Sequence, residues 1–208
     1  MGQSAILTTA YLGPVQYYTK FLNRKVIIEK YDSYIKQTYR NRCNIMTGNG
    51  PESLTIPVVR PNGNNSLVKD VQLDNSRKWQ QQHWRALIAA YNNTPFFEFY
   101  ADDFAPFYEE EYRFLLDFND GLQRVVLDAL DLDADYIYSE TYQEASGYDF
   151  REVIHPKKAV MDPEYRIVEY YQVFKEKFGF MPNLSIADLL FNCGPEALLI
   201  LKQSLQKN

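Results

Sequence analysis

The segment Gln37-Thr38-Tyr39-Arg40-Asn41-Arg42-Cys43 gathers the side chains best suited to hold an anionic ligand. Arg42 offers a planar fork of donors that matches phosphate or carboxylate. Gln37 and Asn41 can read hydroxyls or amides. Tyr39 has a flat face with a polar tip. A turn and strand pattern follows at once, so the segment is either a solvated strand edge or the anion-binding lip of a pocket. His83 is one of 2 histidines, the side chain best placed to move a proton near neutral pH. It falls on a helical face with Trp79, Leu87 and Tyr91. A packed imidazole with one partner is the simpler account. If the polar cluster lines a site, His83 is its available proton shuttle. His155 precedes Pro156 in a polar stretch and reads as a loop residue.

Other chemistry is disfavoured. Asp131-x-Asp133-x-Asp135 resembles the start of a calcium loop, but Tyr136 stands where the loop needs glycine and Tyr142 where it needs glutamate. A solvated acidic helix end explains it better, and no metal site is expected. Cys43 and Cys193 form no C-x-x-C pair, which excludes zinc and thioredoxin-type readings and fits a reducing compartment. A Cys43–His83 nucleophile pair is conceivable, but a buried thiol is the commoner use of cysteine. There is no G-x-S-x-G, P-loop or G-x-G-x-x-G sequence, so no cofactor is expected.

The elements that must position these groups follow from pattern. Ala5–Ala10 and Lys25–Glu29 read as strands flanking a short helix from Val15 to Leu22, the start of an α/β unit. Gly48-Asn49-Gly50-Pro51 marks a hairpin between Asn44–Met46 and Ser53–Val58. Val68–Leu73 alternates like a half-buried strand and completes an antiparallel meander. Ser76 is suited to cap a helix running to Tyr91. A second long helix is expected from Pro106 to Leu132, with Glu109-Glu110-Glu111 in its first turn, where negative charge complements the helix dipole. Gly121 weakens its middle. Ala134–Tyr142 is strand-like, and residues 144–163 form a polar loop that closes over something. Ser185 caps Ile186–Phe191, and Pro195 opens the last helix.

The 208 residues suit one domain with a real core, burying about 70% of the unfolded chain's surface. A net charge of −5 leaves no basic footprint for nucleic acid. No apolar run approaches the length of a membrane span, and the N-terminus does not read as a secretory signal. A cytoplasmic location is expected. The 17 tyrosines against 13 phenylalanines suggest rings packed inward with hydroxyls outward. Tyr-rich surfaces also meet sugars or partner proteins, including a second copy in a homodimer.

Three segments in register resemble the WbqC-like protein family. The first is Ala10-Tyr11-Leu12-Gly13-Pro14 with Gln37–Arg42 and Leu54-Thr55-Ile56-Pro57-Val58. The second is Trp79, His83, Leu87, Ala90-Tyr91, Thr94-Pro95-Phe96-Phe97 and Tyr100. The third is Tyr171-Gln172-Val173-Phe174, Gly179-Phe180 and Leu184–Gly194. Many members carry a His-Gln-Pro-type motif ahead of the tyrosine matching Tyr11; here Leu7-Thr8-Thr9 stands in that place.

The resemblance implies one WbqC-like domain over residues 1–208 and an association with lipopolysaccharide O-antigen biosynthesis. The expected fold is α/β: a mixed β-sheet with an antiparallel meander and four to five packing helices, with α+β as the alternative. The expected function is acyl or aminoacyl group transfer on a nucleotide-linked sugar. The donor or substrate would be a sugar nucleotide or an activated acyl compound. The alternative is a non-catalytic scaffold or interaction protein of a glycan-synthesis complex. In the catalytic reading His83 shuttles the proton. Tyr11, Gln37, Tyr39, Asn41, Arg42 and Tyr91 bind substrate, with the Arg42 and His83 side chains opening into one cavity.

Overall fold

A computed structural model describes residues 4–134, 136–145, 147–158 and 160–206. At its centre lies a short parallel sheet. Strands β1 (Ala5–Thr8) and β2 (Val26–Glu29) pair in parallel, Ala5 opposite Val26 and Thr8 opposite Glu29. Between them runs helix α1 (Val15–Tyr18), extended by a 3-10 turn over Thr19–Phe21. Every residue of β1 and of α1 is buried. This is the near-continuous burial expected of a crossover packed on a parallel sheet.

Strand β3 (Arg42–Thr47) turns through Gly48 and Asn49 into β4 (Gly50–Thr55). The ladder is antiparallel, with Arg42 opposite Thr55 and Thr47 opposite Gly50. Gly50 takes φ +111°, a conformation that glycine reaches without steric cost. The short strands β5 (Val58–Val59) and β6 (Gln72–Leu73) form a separate antiparallel ribbon. Parallel and antiparallel pairing thus both occur, in three separate sheets among the described residues. The α/β expectation holds, while the antiparallel part is two ribbons and no continuous meander. Val68–Asp70 is a 3-10 turn, so only the end of the expected Val68–Leu73 strand is extended.

The helical half differs from expectation in one respect that matters. Helix α2 (Trp79–Tyr91) buries Trp79, His83, Leu87 and Tyr91 along one face, as its period requires. Ser76 does not cap it. The Ser76 hydroxyl is spent on Asp74 Oδ1 at 2.5 Å, and Lys78 occupies the cap position without a side-chain bond. Helix α3 (Phe97–Glu109) carries Pro106 inside it, and α4 (Leu115–Ala129) starts afresh. The expected single helix from Pro106 is therefore two helices. The reason is tertiary: Leu73 N–H donates to Arg113 O, and Leu115 N–H donates to Val71 O, both at 3.0 Å. Pairing with the β6 segment pulls the 110–114 chain into extended form. Glu109 consequently ends a helix, where its charge opposes the dipole.

Strand β7 (Tyr136–Tyr138) adds to β2 in parallel, and Ile6 makes a parallel bridge to Asp149 on the other side of β1. After a one-turn helix α5 (Lys175–Phe178) comes α6 (Ile186–Cys193), capped by Ser185 Oγ, which accepts from Ala187 N–H at 3.2 Å. The same hydroxyl donates to Leu12 O at 2.8 Å. Helix α7 (Ala197–Ser204) follows a 3-10 turn at Gly194–Glu196. Among the described residues, five helices of eight residues or more, α2, α3, α4, α6 and α7, pack with the sheets on one hydrophobic core.

Candidate functional site

Parallel strands release their loops at a common edge, and ligands of open α/β sheets collect outside the carboxyl ends of the strands. Here β1 releases Thr9–Leu12, β2 releases the 30–41 loop, β7 releases the chain from Ser139, and the Asp149 bridge releases the loop to Lys158. The Gln37–Arg42 cluster therefore stands at the end of the sheet where the fold leaves its polar groups.

Specific bonds hold these loops together. The fully buried Glu29 carboxylate accepts from Tyr31 N–H at 2.6 Å, Ser139 Oγ at 2.8 Å and Gln143 N–H at 2.6 Å. It thereby ties the loop after β2 to the loop after β7. Asn119 of α4 donates to Thr9 Oγ1 at 3.1 Å and Arg40 O at 2.8 Å, joining the loops after β1 and β2. Tyr11 N–H donates to Tyr39 O at 2.9 Å. Leu12 and Gln37 adopt φ +41° and +61°, a region that side chains other than Gly, Asn and Asp seldom occupy. Such strain clusters at functional sites.

The cluster is rich in guanidinium. Arg40 is 1% exposed; its Nη2 donates to Asp32 at 3.0 Å and its Nη1 to Thr38 Oγ1 at 3.3 Å. Arg151, 6% exposed, is forked onto Asp149, with Nη2 to Oδ2 at 2.6 Å. Yet Arg40 Nε, Arg42 Nε and Arg151 Nη1 are buried with no hydrogen-bond partner among the described residues. Unsatisfied buried donors are costly and call for an explanation. Arg40, Arg60 and Arg42 also lie close enough to act on the Tyr34 phenol, which burial pushes up to about 12.

Beside this cluster opens a cavity of about 490 Å3. Tyr39, Asn44, Ser53, His155, Met181 and Asn183 contribute to its wall together with the acidic Glu52, and Arg40, Arg42 and Arg151 do not line it. The His155 ring is held by its own loop: Nδ1 accepts from Lys157 N–H at 3.0 Å and Lys158 N–H at 3.1 Å. Burial, with Lys158 next in weight, lowers its pKa. His155 is the loop residue that its sequence context indicates, and that context does not single it out for a site. Its only signal was a histidine ahead of Pro156 and two lysines in a polar loop that follows a strand.

The structure divides the residues singled out from sequence into groups. Tyr39 lines the cavity. Asn41 clamps the hairpin: Nδ2 donates to Ile56 O at 2.8 Å, while Oδ1 is buried without a partner among the described residues. Gln37 Oε1 accepts from Lys157 Nζ, linking the two loops at the site. Tyr11 and His83 meet in the core, where Tyr11 Oη lies 3.0 Å from His83 Nδ1 and 3.1 Å from Tyr108 Oη. His83 is 6% exposed, and burial lowers its pKa to about 4. Its ring stacks on Tyr11, with centroids 5.6 Å apart, and meets the Trp79 ring edge-on at 5.3 Å. Tyr91 is also internal, donating to Asp188 Oδ1 at 2.9 Å.

Side chains alternate along β3, so the buried Cys43 and the half-buried Arg42 point to opposite faces. The Cys43 thiol, pushed up by burial, is held against Tyr11, the partner of His83. The expectation of one cavity shared by Arg42 and His83 gains no support from the Tyr39 cavity, which neither residue lines. The imidazole beside the polar cluster is His155. For the acidic stretch, Asp135 lies outside the described residues, and no cluster of three or more potential metal ligands occurs among the described residues.

The fold and this edge define an α/β protein whose polar loops converge at the carboxyl ends of a short parallel sheet. The chain belongs to the WbqC-like protein family, whose model matches residues 10–165 and 157–200. It is also similar to "Uncharacterized protein Rv1507c" of Mycobacterium tuberculosis (strain ATCC 25618 / H37Rv). The two are 29% identical over 189 residues, covering 79% of this chain and 81% of that protein. No solved structure matches. Among the described residues, no helix is long and apolar enough to cross a membrane.

Proposed function

We propose that this chain binds a nucleotide-linked sugar, or the activated acyl donor that modifies it, at the carboxyl edge of its parallel sheet. It would act in cytoplasmic lipopolysaccharide O-antigen assembly as an acyl or aminoacyl transferase. The observation that carries this reading is the placement of Tyr39 and His155, from the loops that leave the sheet at this edge, on the wall of one cavity of about 490 Å3. A nucleotide-linked sugar offers groups that match these two side chains. Its rings can stack on Tyr39, and its phosphate or acyl oxygen can accept from the imidazole N–H of His155. In the transfer, an amine or hydroxyl of the sugar attacks the acyl carbon. The bond from that carbon to the donor's sulfur or phosphate oxygen breaks, and the attacking group's proton passes to the leaving group. Burial keeps His83 neutral as a partner of Tyr11, so it supports the site from the core.

The test is a thermal-shift panel of sugar nucleotides and acyl donors. A ligand at about 100 times its Kd adds about 2.7 kcal/mol, a rise of several degrees for a chain of this size. A flat response to the whole panel would overturn the reading.

A second reading is a non-catalytic scaffold of the same assembly. It is favoured by Phe99, 74% exposed on α3 at the mouth of a separate cavity of about 560 Å3 with Tyr100 and Leu198. Co-purification with a glycan-synthesis enzyme that is lost in Phe99→Ser, with no small-molecule response, would favour it over transfer.

A further inference from the structure

A neutral imidazole donates from one ring nitrogen and accepts at the other, and the bond made by one fixes the role of its partner. At His155 the two backbone N–H groups of Lys157 and Lys158 converge on Nδ1 at 3.0 and 3.1 Å. An atom that accepts from two donors cannot carry a proton, so the proton sits on Nε2. Nε2 has no hydrogen-bond partner among the described residues, and His155 borders the cavity that Tyr39 also lines. The charged groups that act on the ring are Lys158, Glu152, Arg40 and Lys157, three positive against one negative. That balance, together with burial, opposes a second proton.

We infer that His155 is a preset hydrogen-bond donor, its Nε2–H directed to an oxygen of the ligand, phosphoryl or acyl carbonyl, in the Tyr39 cavity. The inference rests on the ligand-binding reading above and gives the ligand's oxygen a named partner. A donor locked in one tautomer costs no reorganisation when negative charge develops on that oxygen. This is the property that makes preorganised donors effective. The ring would not serve as a base, because its accepting nitrogen is already occupied by the backbone.

Two measurements test it. Long-range proton–nitrogen spectra of labelled protein near neutral pH report which ring nitrogen is protonated. A single Nε2–H tautomer is expected, and an Nδ1–H form or a charged ring would overturn the inference without any ligand. The second measurement is a titration with UDP-glucose, inorganic pyrophosphate and acetyl-coenzyme A. A probe that binds should shift the Nε2 resonance. His155→Phe should weaken that probe roughly tenfold or more, the loss expected for a hydrogen bond to a charged group. His155→Gln keeps an amide donor near the Nε2 position and should restore part of the affinity. His155→Asn keeps an acceptor for the two backbone N–H groups and should preserve the loop without restoring affinity. If a probe binds but neither the resonance nor the affinity responds, His155 is not the donor and the binding reading stands. If no probe binds, both fall.

Discussion

The hydroxyl of Tyr11 and Nδ1 of His83 lie 3.0 Å apart inside the core, with Tyr108 at 3.1 Å completing the chain. The loop after β1 is thereby pinned to both α2 and α3. His83→Leu leaves Tyr11 with Tyr108 alone and should cost about 1–3 kcal/mol in urea unfolding. Ligand-induced stabilisation should persist in the variant. A loss of ligand response with unchanged stability would return His83 to the reaction.

Asp188 and His83 should oppose each other in acid. The His83 imidazole, ordinarily near 6.5, titrates near 4 when folded because burial penalises its charge. Its contribution is complete above 6.5 and is lost as pH falls towards 4. Burial raises Asp188 from 3.8 to about 6, although Tyr170, Tyr91 and Gln172 donate to its carboxylate. Its contribution is complete below 3.8 and is lost as pH rises through about 6. Each shift is worth about 3 kcal/mol, with opposite sign over nearly the same window, so the two largely cancel in the native chain. Relative to wild type, Asp188→Asn should lose about 3 kcal/mol between about pH 7 and 4, while His83→Gln should gain a similar amount. Parallel stability curves for all three proteins would contradict this.

Gly121 sits inside α4, where alanine would normally favour the helix by about 1 kcal/mol. A Cβ there would collide with Cε1 of Phe107 and lie 3.2 Å from its Cζ. Gly121→Ala should therefore destabilise by about 1–3 kcal/mol, and adding Phe107→Leu should recover part of that loss. A stabilised single variant would mean that the Phe107 ring moves aside freely.

Glu29 joins the loops that frame the site. Glu29→Ala strands the Tyr31 and Gln143 amides and should cost roughly 3 kcal/mol or more, because buried donors lose a charged acceptor. Amide hydrogen exchange should quicken across residues 30–41 and 139–143 while α6 stays protected. Uniform quickening would show that Glu29 serves global stability alone.

Much of this framework was legible in sequence. Ala5–Thr8 and Val26–Glu29 announce themselves by β-branched apolar runs, the hairpin by Gly48-Asn49-Gly50, and α6 by the hydroxyl of Ser185. The break between α3 and α4 was hidden. Phe107, Phe114 and Phe118 keep a helical rhythm across it, while the interruption comes from pairing with Val71 and Leu73, some forty positions away. The guanidinium cluster was legible as composition, its companion was not. The role of His155 depends on backbone N–H groups two and three residues further on and on a wall shared with Tyr39, none of which has a sequence period. His83 drew notice because helical phasing is easy to read, and the same phasing buries it.

The most direct test of the site is amide shift mapping during titration with UDP-glucose and acetyl-coenzyme A. Perturbations are expected to centre on Tyr39, Asn44, Ser53, His155 and Met181. Perturbations centred on Phe99, Tyr100 and Leu198, or none with either probe, would contradict a ligand site at the carboxyl edge of the sheet.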